Sequence, residues 1–152
     1  MAYQVQAIFS IGLHKKDISL LQKIQSGVST IRINKSNNMV HYTVAAQKEL
    51  IEVIIPHFLK YPLLTEKQAD FLLFKSIVEL IINKDHITTE GFKKILSFKA
   101  VMNKGLNKEL EKNFSNIRFT DRPLIVTTKI SDPNWISGFR SGESCFDVKI
   151  IE

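Results

Sequence analysis

Asp132-Pro-Asn-Trp-Ile-Ser-Gly-Phe-Arg-Ser-Gly-Glu-Ser-Cys-Phe146, close to the C-terminus, is the stretch on which the reading of the fold turns. Trp135 to Phe139 reads as a short helix of apolar and small residues. Gly142 closes it, and an acid, Glu143, stands at its foot. Cys145-Phe-Asp-Val-Lys-Ile-Ile151 then reads as a strand. Ser137, Gly138, Ser141 and Gly142 are small enough to let a second helix pack closely. A carboxylate at the foot of such a helix suits a hard cation. By itself the stretch also reads, more simply, as a Gly-terminated helix with a solvated Glu.

The rest of the chain sets the context. Its 152 residues suffice for one domain with a core, and 44% of them are hydrophobic. A net charge of +6 points to a polyanionic partner, nucleic acid first and an anionic membrane surface second. The single Cys145 excludes an intrachain disulfide and a Cys-based zinc site. No apolar run is long enough to span a membrane. Met-Ala-Tyr-Gln-Val-Gln lacks the pattern of a secretory or transit leader, so the protein is expected to act where it is made. Abundant Ile, Asn, Lys and Phe hint at an AT-rich coding sequence of an organelle.

Tyr3 to Leu13 alternates, with Val5, Ala7, Phe9 and Ile11 on one face and Gln4, Gln6, Ile8 and Ser10 on the other. That is a strand with one buried side. Its amide face suits base edges, since Gln bonds bidentately to adenine. Asp17 is placed to cap a helix from Ile18 to Gln25, with Ile18, Leu21 and Ile24 inward and Leu20 widening the stripe. Val28–Asn34 and Met39–Ala45 flank the polar turn Lys35-Ser-Asn-Asn38 and read as a β-hairpin. Arg32, Asn34, Lys35 and His41 give it donors and charge without acid, and a hairpin of this kind fits a major groove.

Four helices are expected beyond it. Gln47–Phe58 is one that Pro56 kinks or ends. Thr65 and Gln68 form a capping box for a second, carrying Phe71, Phe74, Val78 and Ile82 inward, with Leu72, Leu73, Ile77 and Ile81 broadening the stripe. Thr88 or Thr89 caps a third, with Lys93, Lys94 and Lys99 outward and Gly105 as its stop. Asn107–Phe114 is a short charged helix, and Ile117–Ile130 lacks helical period and reads as an extended linker. The fold class is α+β, a small antiparallel sheet backed by helices. No phosphate loop, Ser-His-Asp order or Cys/His cluster is present.

In order and spacing these segments resemble the LAGLIDADG homing endonucleases, of the single-chain kind encoded in fungal mitochondrial introns. The resemblance lies in Ile11-Gly-Leu-His-Lys-Lys-Asp17 and in His57-Phe-Leu-Lys-Tyr-Pro-Leu-Leu-Thr65 running into Lys67, Ala69-Asp70 and Leu73-Phe74-Lys75. It continues in Lys99-Ala-Val-Met-Asn-Lys-Gly-Leu106, Arg122-Pro123 and the C-terminal stretch, Ile136 to Ser144 occupying the signature. It implies a saddle-shaped sheet that reads double-stranded DNA, and paired signature helices that pack through Ser137, Gly138, Ser141 and Gly142. It makes Glu143 the catalytic and metal-binding acid for Mg²⁺. Gln4, Gln6, Ser10, Arg32, Asn34, Lys35 and His41 become candidate DNA contacts.

The resemblance also implies a truncated arrangement. Residues 1–114 would be the back of a first repeat, 115–132 a linker, and 133–152 the start of a second. The partner signature helix would then lie in a longer chain. One copy, with one acid, would not make a double-strand cut. Ser144 in place of the usual Gly and Arg140 in place of a small or apolar residue suggest relaxed selection or a degenerate copy, the alternative for Arg140 being a contact to DNA phosphate; an experimental fragment or a mis-called start codon would explain the truncation equally well. Intron RNA, bound as a maturase binds it, is the alternative partner, or the chain is a basic binding module without catalysis. Mitochondrial localisation follows from the same resemblance, and no membrane partner does.

Overall fold

A computed structural model describes residues 3–25, 30–34, 37–126, 134 and 143–151, with backbone alone for 30–34, 143 and 144. Its centre is an antiparallel sheet of order β2-β3-β1-β4, built from β1 (Gln4–His14), β2 (Thr30–Asn34), β3 (Met39–Val44) and β4 (Glu143–Ile151). The period-two pattern of β1 is realised. Val5, Ala7, Phe9 and Leu13 are buried, and Gln4, Gln6 and His14 are exposed. Ile8 departs from it, being buried although it shares strand parity with Gln6 and Ser10.

The hairpin forms as expected, Arg32 standing opposite His41 and Asn34 opposite Met39. Asn38 takes the left-handed conformation (φ 55), and the Asn37 side chain accepts from Met39 N at 3.1 Å. Both are what Asn does cheaply in a turn. Lys35 lies outside the described residues.

The strand expected to open a second repeat is hydrogen-bonded to β1. The register runs from Gln4 opposite Ile151 to Gly12 opposite Glu143. It begins at Glu143, two residues before the strand read from sequence. Phe146 is fully buried, its ring 5.2 Å from those of Phe9 and Phe58 and 5.4 Å from those of Phe71 and Phe74. It is the hub of the aromatic core. The helix expected at Trp135–Phe139, with Ser137, Gly138, Ser141 and Gly142, lies outside the described residues.

Helices cover the buried face of the sheet. They are α1 (Ile18–Ile24), α2 (Gln47–Glu49), α3 (Ile55–Lys60), α4 (Lys67–Ile82), α5 (Thr89–Ala100) and α6 (Lys108–Asn113). Four local expectations are corrected. Asp17 makes no capping bond; His14 Nδ1 instead accepts from Lys16 N in a 3₁₀ turn. Only Leu21 of α1 is fully buried, and Leu20 and Ile24 are exposed. Pro56 does not end its helix, which runs on to Lys60; the helical path changes instead at a π-helical turn over Leu50–Ile54 that joins α2 to α3 just before it. The wider turn accommodates a ring that lacks an N–H. On α4 the buried residues are Ala69, Asp70, Phe71, Leu73, Phe74, Ile77, Val78 and Ile81, so the stripe is as read except that Ile82 is exposed and Ala69 and Asp70 join it.

The Thr65–Gln68 capping box does not form as read: the N-cap of α4 is Glu66, which makes no side-chain cap bond, while Thr65 Oγ1 accepts from Lys67 N and Gln68 Oε1 from Leu63 N. Other signals are met. Thr88 Oγ1 accepts from Gly91 N at 3.0 Å and caps α5. Gly105 has φ +77, as a chain reversal after a helix demands. At Gly91 a Cβ would lie 2.0 Å from the Asp85 carbonyl oxygen. Gly91→Ala is therefore expected to cost about 2 kcal/mol, since backbone must move to relieve the overlap. A urea midpoint equal to that of the parent would refute this.

Candidate nucleic-acid interface

The sheet has one face on the core and one turned away from it. The register decides which sequence candidates share the second. Ser10 stands opposite Thr43 of β3, and Thr43 opposite Thr30 of β2. One row along, Arg32, His41, Gly12 and Glu143 stand in line across all four strands. The next row holds Asn34, Met39 and His14. Gln4, Gln6, Ser10, Arg32, Asn34 and His41 thus occupy register positions of one face. The positions of that face on β1, β2 and β3 contain no acid.

Gly12 has a reason to be glycine. A Cβ there would meet the His41 ring, 3.1 Å from Cε1 and 3.2 Å from Nδ1. The imidazole therefore lies across the strand in the space Gly12 leaves. A glycine inside a strand signals such an approach, and it is the sequence signal that would have drawn attention to this row. At the row's end Lys15 N donates to Asn38 O at 2.8 Å, tying the basic turn His14–Lys16 to the hairpin tip. Lys15 and Lys16 are exposed there.

β4 adds a different chemistry. Its positions on this face are Glu143, Cys145, Asp147, Lys149 and Ile151. Asp147 would oppose an anion, but Lys99 Nζ lies 3.4 Å from its Oδ1. Lys99 was expected to point outward. Its side chain is instead only 14% exposed, and it turns to the sheet edge to neutralise Asp147. No local pattern announces a partner 48 residues away. Burial pushes the Cys145 thiol up, with Lys67 pulling the other way, so the thiol stays protonated at neutral pH.

Behind β4 a second network holds the C-terminal segment. Asp70 is buried, and its Oδ1 accepts from Arg122 Nη1 at 2.8 Å and Asn103 N at 3.2 Å. Arg122 also donates to Val101 O at 2.6 Å and to Glu66 O and Oε2 at 3.1 and 3.3 Å. Burial alone would lower the Arg122 guanidinium. Its hydrogen bonds and opposite charges, Asp70 first and Glu66 next, leave it above its usual value. Asn103 (φ 50) donates through Nδ2 to Phe146 O at 2.5 Å.

Among the described residues no group of three His, Cys, Asp or Glu gathers to hold a metal. A broad concavity of about 840 Å³ between α5 and residues 113–118 contains none of the candidate contacts.

Comparison with known proteins agrees with this architecture. The family model described as LAGLIDADG endonuclease matches residues 1–78. A probable intron-encoded endonuclease 3 of Neurospora crassa is 40% identical over 154 residues, spanning 99% of this chain and 29% of that protein. The crystal structure of the LAGLIDADG meganuclease I-CpaMI bound to uncleaved DNA overlays with a TM-score of 0.83 at 46% identity, covering 90% of this chain and 47% of that one. I-SmaMI, bound to an uncleaved DNA target in the presence of calcium ions, overlays at 0.82 with 31% identity, covering 95% and 61%. The chain therefore spans under a third of that curated relative and about half of those solved chains. With the matched family model covering half of its length and its α+β fold shared with these meganucleases, the chain belongs to the LAGLIDADG endonuclease family.

Proposed function

We propose that this chain reads double-stranded DNA with the outer face of its sheet, as part of a homing endonuclease made in a fungal mitochondrion. The observation that carries the reading is the register. It puts amide, imidazole and guanidinium residues on one face whose β1, β2 and β3 positions carry no acid, with basic residues at its end. Direct readout needs such donors against base edges in the major groove, and Lys and Arg at the rim against phosphates. The 11 residues of β1 rise about 36 Å, close to one turn of B-DNA. Lys99 is the device that lets β4 approach phosphates despite Asp147.

Glu143 is the acid we assign to a divalent cation, Mg²⁺ in the cell. Its donor chemistry fits. A single carboxylate leaves most of the coordination sphere to water and to phosphate oxygens, as Mg²⁺ prefers. The bound cation would lower the pKa of an attacking water and offset charge on the phosphoryl group. The chain's own contribution is the register position of Glu143, in the backbone row of Gly12, His41 and Arg32. One copy carries this acid once and makes no double-strand cut by itself.

The test is binding to a thirty-base-pair duplex across a salt series, by fluorescence anisotropy. With Lys15, Lys16, Arg32 and Lys35 on phosphates, the affinity is expected to fall about a hundredfold between 50 and 200 mM salt. Arg32→Ala should lower the salt slope by about one unit. A flat salt response, or tighter binding of intron RNA than of duplex DNA, would sink the proposal.

A further inference from the structure

β1 carries a side chain at every outer-face position except Gly12, whose row runs Arg32, His41, Gly12 and Glu143 across the four strands. The His41 imidazole leans into the space that the glycine leaves. Cε1 and Nδ1 are the ring atoms nearest the point where a Cβ would stand, at 3.1 and 3.2 Å, and Met39 Cε follows at 3.6 Å. The Nδ1–Cε1 edge of the ring is therefore set against the strand, and Nε2 stands farther from it. His41 is half-buried. A side chain on an open sheet face ordinarily keeps several rotamers and loses them on binding. Here the gap and the Met39 methyl hold the ring, and a group held in advance loses less.

We infer that Gly12 is a positioning residue that sets His41 to read guanine in the major groove, with Nε2 as the donor. The inference rests on the DNA-reading proposal and adds to it the base and the ring atom. With Nδ1 against the strand, the nitrogen open to a base is Nε2, which donates when it carries the proton. Arg32 stands directly opposite His41, so the row offers two donor residues side by side. Guanine shows the major groove two acceptors, N7 and O6, and no donor, whereas adenine pairs an acceptor with a donor. The adjoining row has a different character. Ser10, Thr43 and Thr30 carry hydroxyls, which both donate and accept and so discriminate less between bases. The row of Gly12 is thus where this face distinguishes one purine from the other.

Selection of duplexes from a randomised thirty-base-pair library, followed by binding to every single-base substitution of the selected site, tests it. The parent is expected to require guanine at one position or at two adjacent ones, replacement there weakening binding about tenfold. His41→Ala should reduce that penalty to below about threefold at those positions alone. Gly12→Ala should reduce it partway, since the ring needs to give by only a few tenths of an ångström. Gly12→Val should reduce it as far as His41→Ala does. The salt slope, which counts phosphate contacts, should match the parent's in all three variants. Melting points should not fall on replacing Gly12, because glycine weakens a strand and Val favours one. In a His41→Ala background Gly12→Val should change nothing further, since the glycine acts through the ring; a general disturbance of the sheet would still show there. A guanine requirement that survives His41→Ala, one that survives Gly12→Val, or a Gly12→Val loss undiminished in the His41→Ala background would each overturn the inference. Selected sites without a required guanine overturn it and keep the DNA-reading proposal, whereas failure to bind any duplex rejects both.

Discussion

Phe146→Ala is expected to lower the unfolding free energy by about 4 kcal/mol, more than any substitution on the outer sheet face. The side chain is fully buried and touches Phe9, Phe58, Phe71 and Phe74. Phe→Ala in a core costs about 3–5 kcal/mol from lost transfer energy and the cavity left behind. Aromatic pairs add roughly 0.5–1.5 kcal/mol each beyond area. Domains of this size have about 5–15 kcal/mol in all, so the variant should stand near its unfolding midpoint at room temperature. Phe146→Leu keeps most of the volume and is expected to cost no more than about 1.5 kcal/mol. Urea melts followed by circular dichroism measure both. The result bears on organisation as well as stability. Were residues 133–152 the start of a separate repeat, removing this ring would leave the unit built on 1–114 as stable as before. A loss below about 1 kcal/mol would therefore mean that β4 does not seat on β1.

That point also shows what the sequence could and could not reveal. Alternation in Tyr3–Leu13, the polar turn at Asn38 and the Thr88 cap are local chemistry, and the structure repeats them, whereas α5 already ends at Ala100 and Gly105 (φ +77) turns the chain beyond it. The partner of β4 is not local. Cys145–Ile151 shows which residues share a face, since side chains alternate, but nothing in that pattern names the strand beside it. The same gap hid Lys99. Its position on the last turn of α5 made it one of three outward lysines, until β4 placed Asp147 within reach. That Pro56 does not end its helix was hidden for a different reason. A proline's cost depends on the turn before it, and a π turn is not written in the helical period. On the candidate interface the strand pattern sufficed for Gln4, Gln6 and Ser10. His41 and Arg32 joined them through the hairpin register. Ile8 shares their parity yet is buried, so parity assigns a face and not exposure.

Asp70→Ala is the second large effect, and its expected size is about 3 kcal/mol. The carboxylate is buried and gathers three elements. Arg122 reaches it from the segment after α6, Asn103 N from the turn after α5, and Lys67 lies 3.7 Å from its other oxygen. Removing one partner of a buried ion pair costs about 3–5 kcal/mol when the remaining charge is stranded. Arg122 is only partly stranded. Its side chain is 32% exposed, and it keeps Val101 O and Glu66, which places the expectation at the low end. Arg122→Ala alone should cost less, about 2 kcal/mol, because Asp70 retains Asn103 N. The two should not add. A double-mutant cycle is expected to return a coupling of about 1–3 kcal/mol. The loss should also spread along the chain of bonds. Asn103 links Asp70 to Phe146 O, so freeing its backbone N–H loosens the tie on β4, and β4 carries Glu143 at its first position. Amide exchange in β4 should accelerate in Asp70→Ala beyond what global destabilisation explains, while β2 and β3 follow the global value. Exchange that rises equally in all four strands would show that Asp70 supports the fold but does not position the strand bearing Glu143.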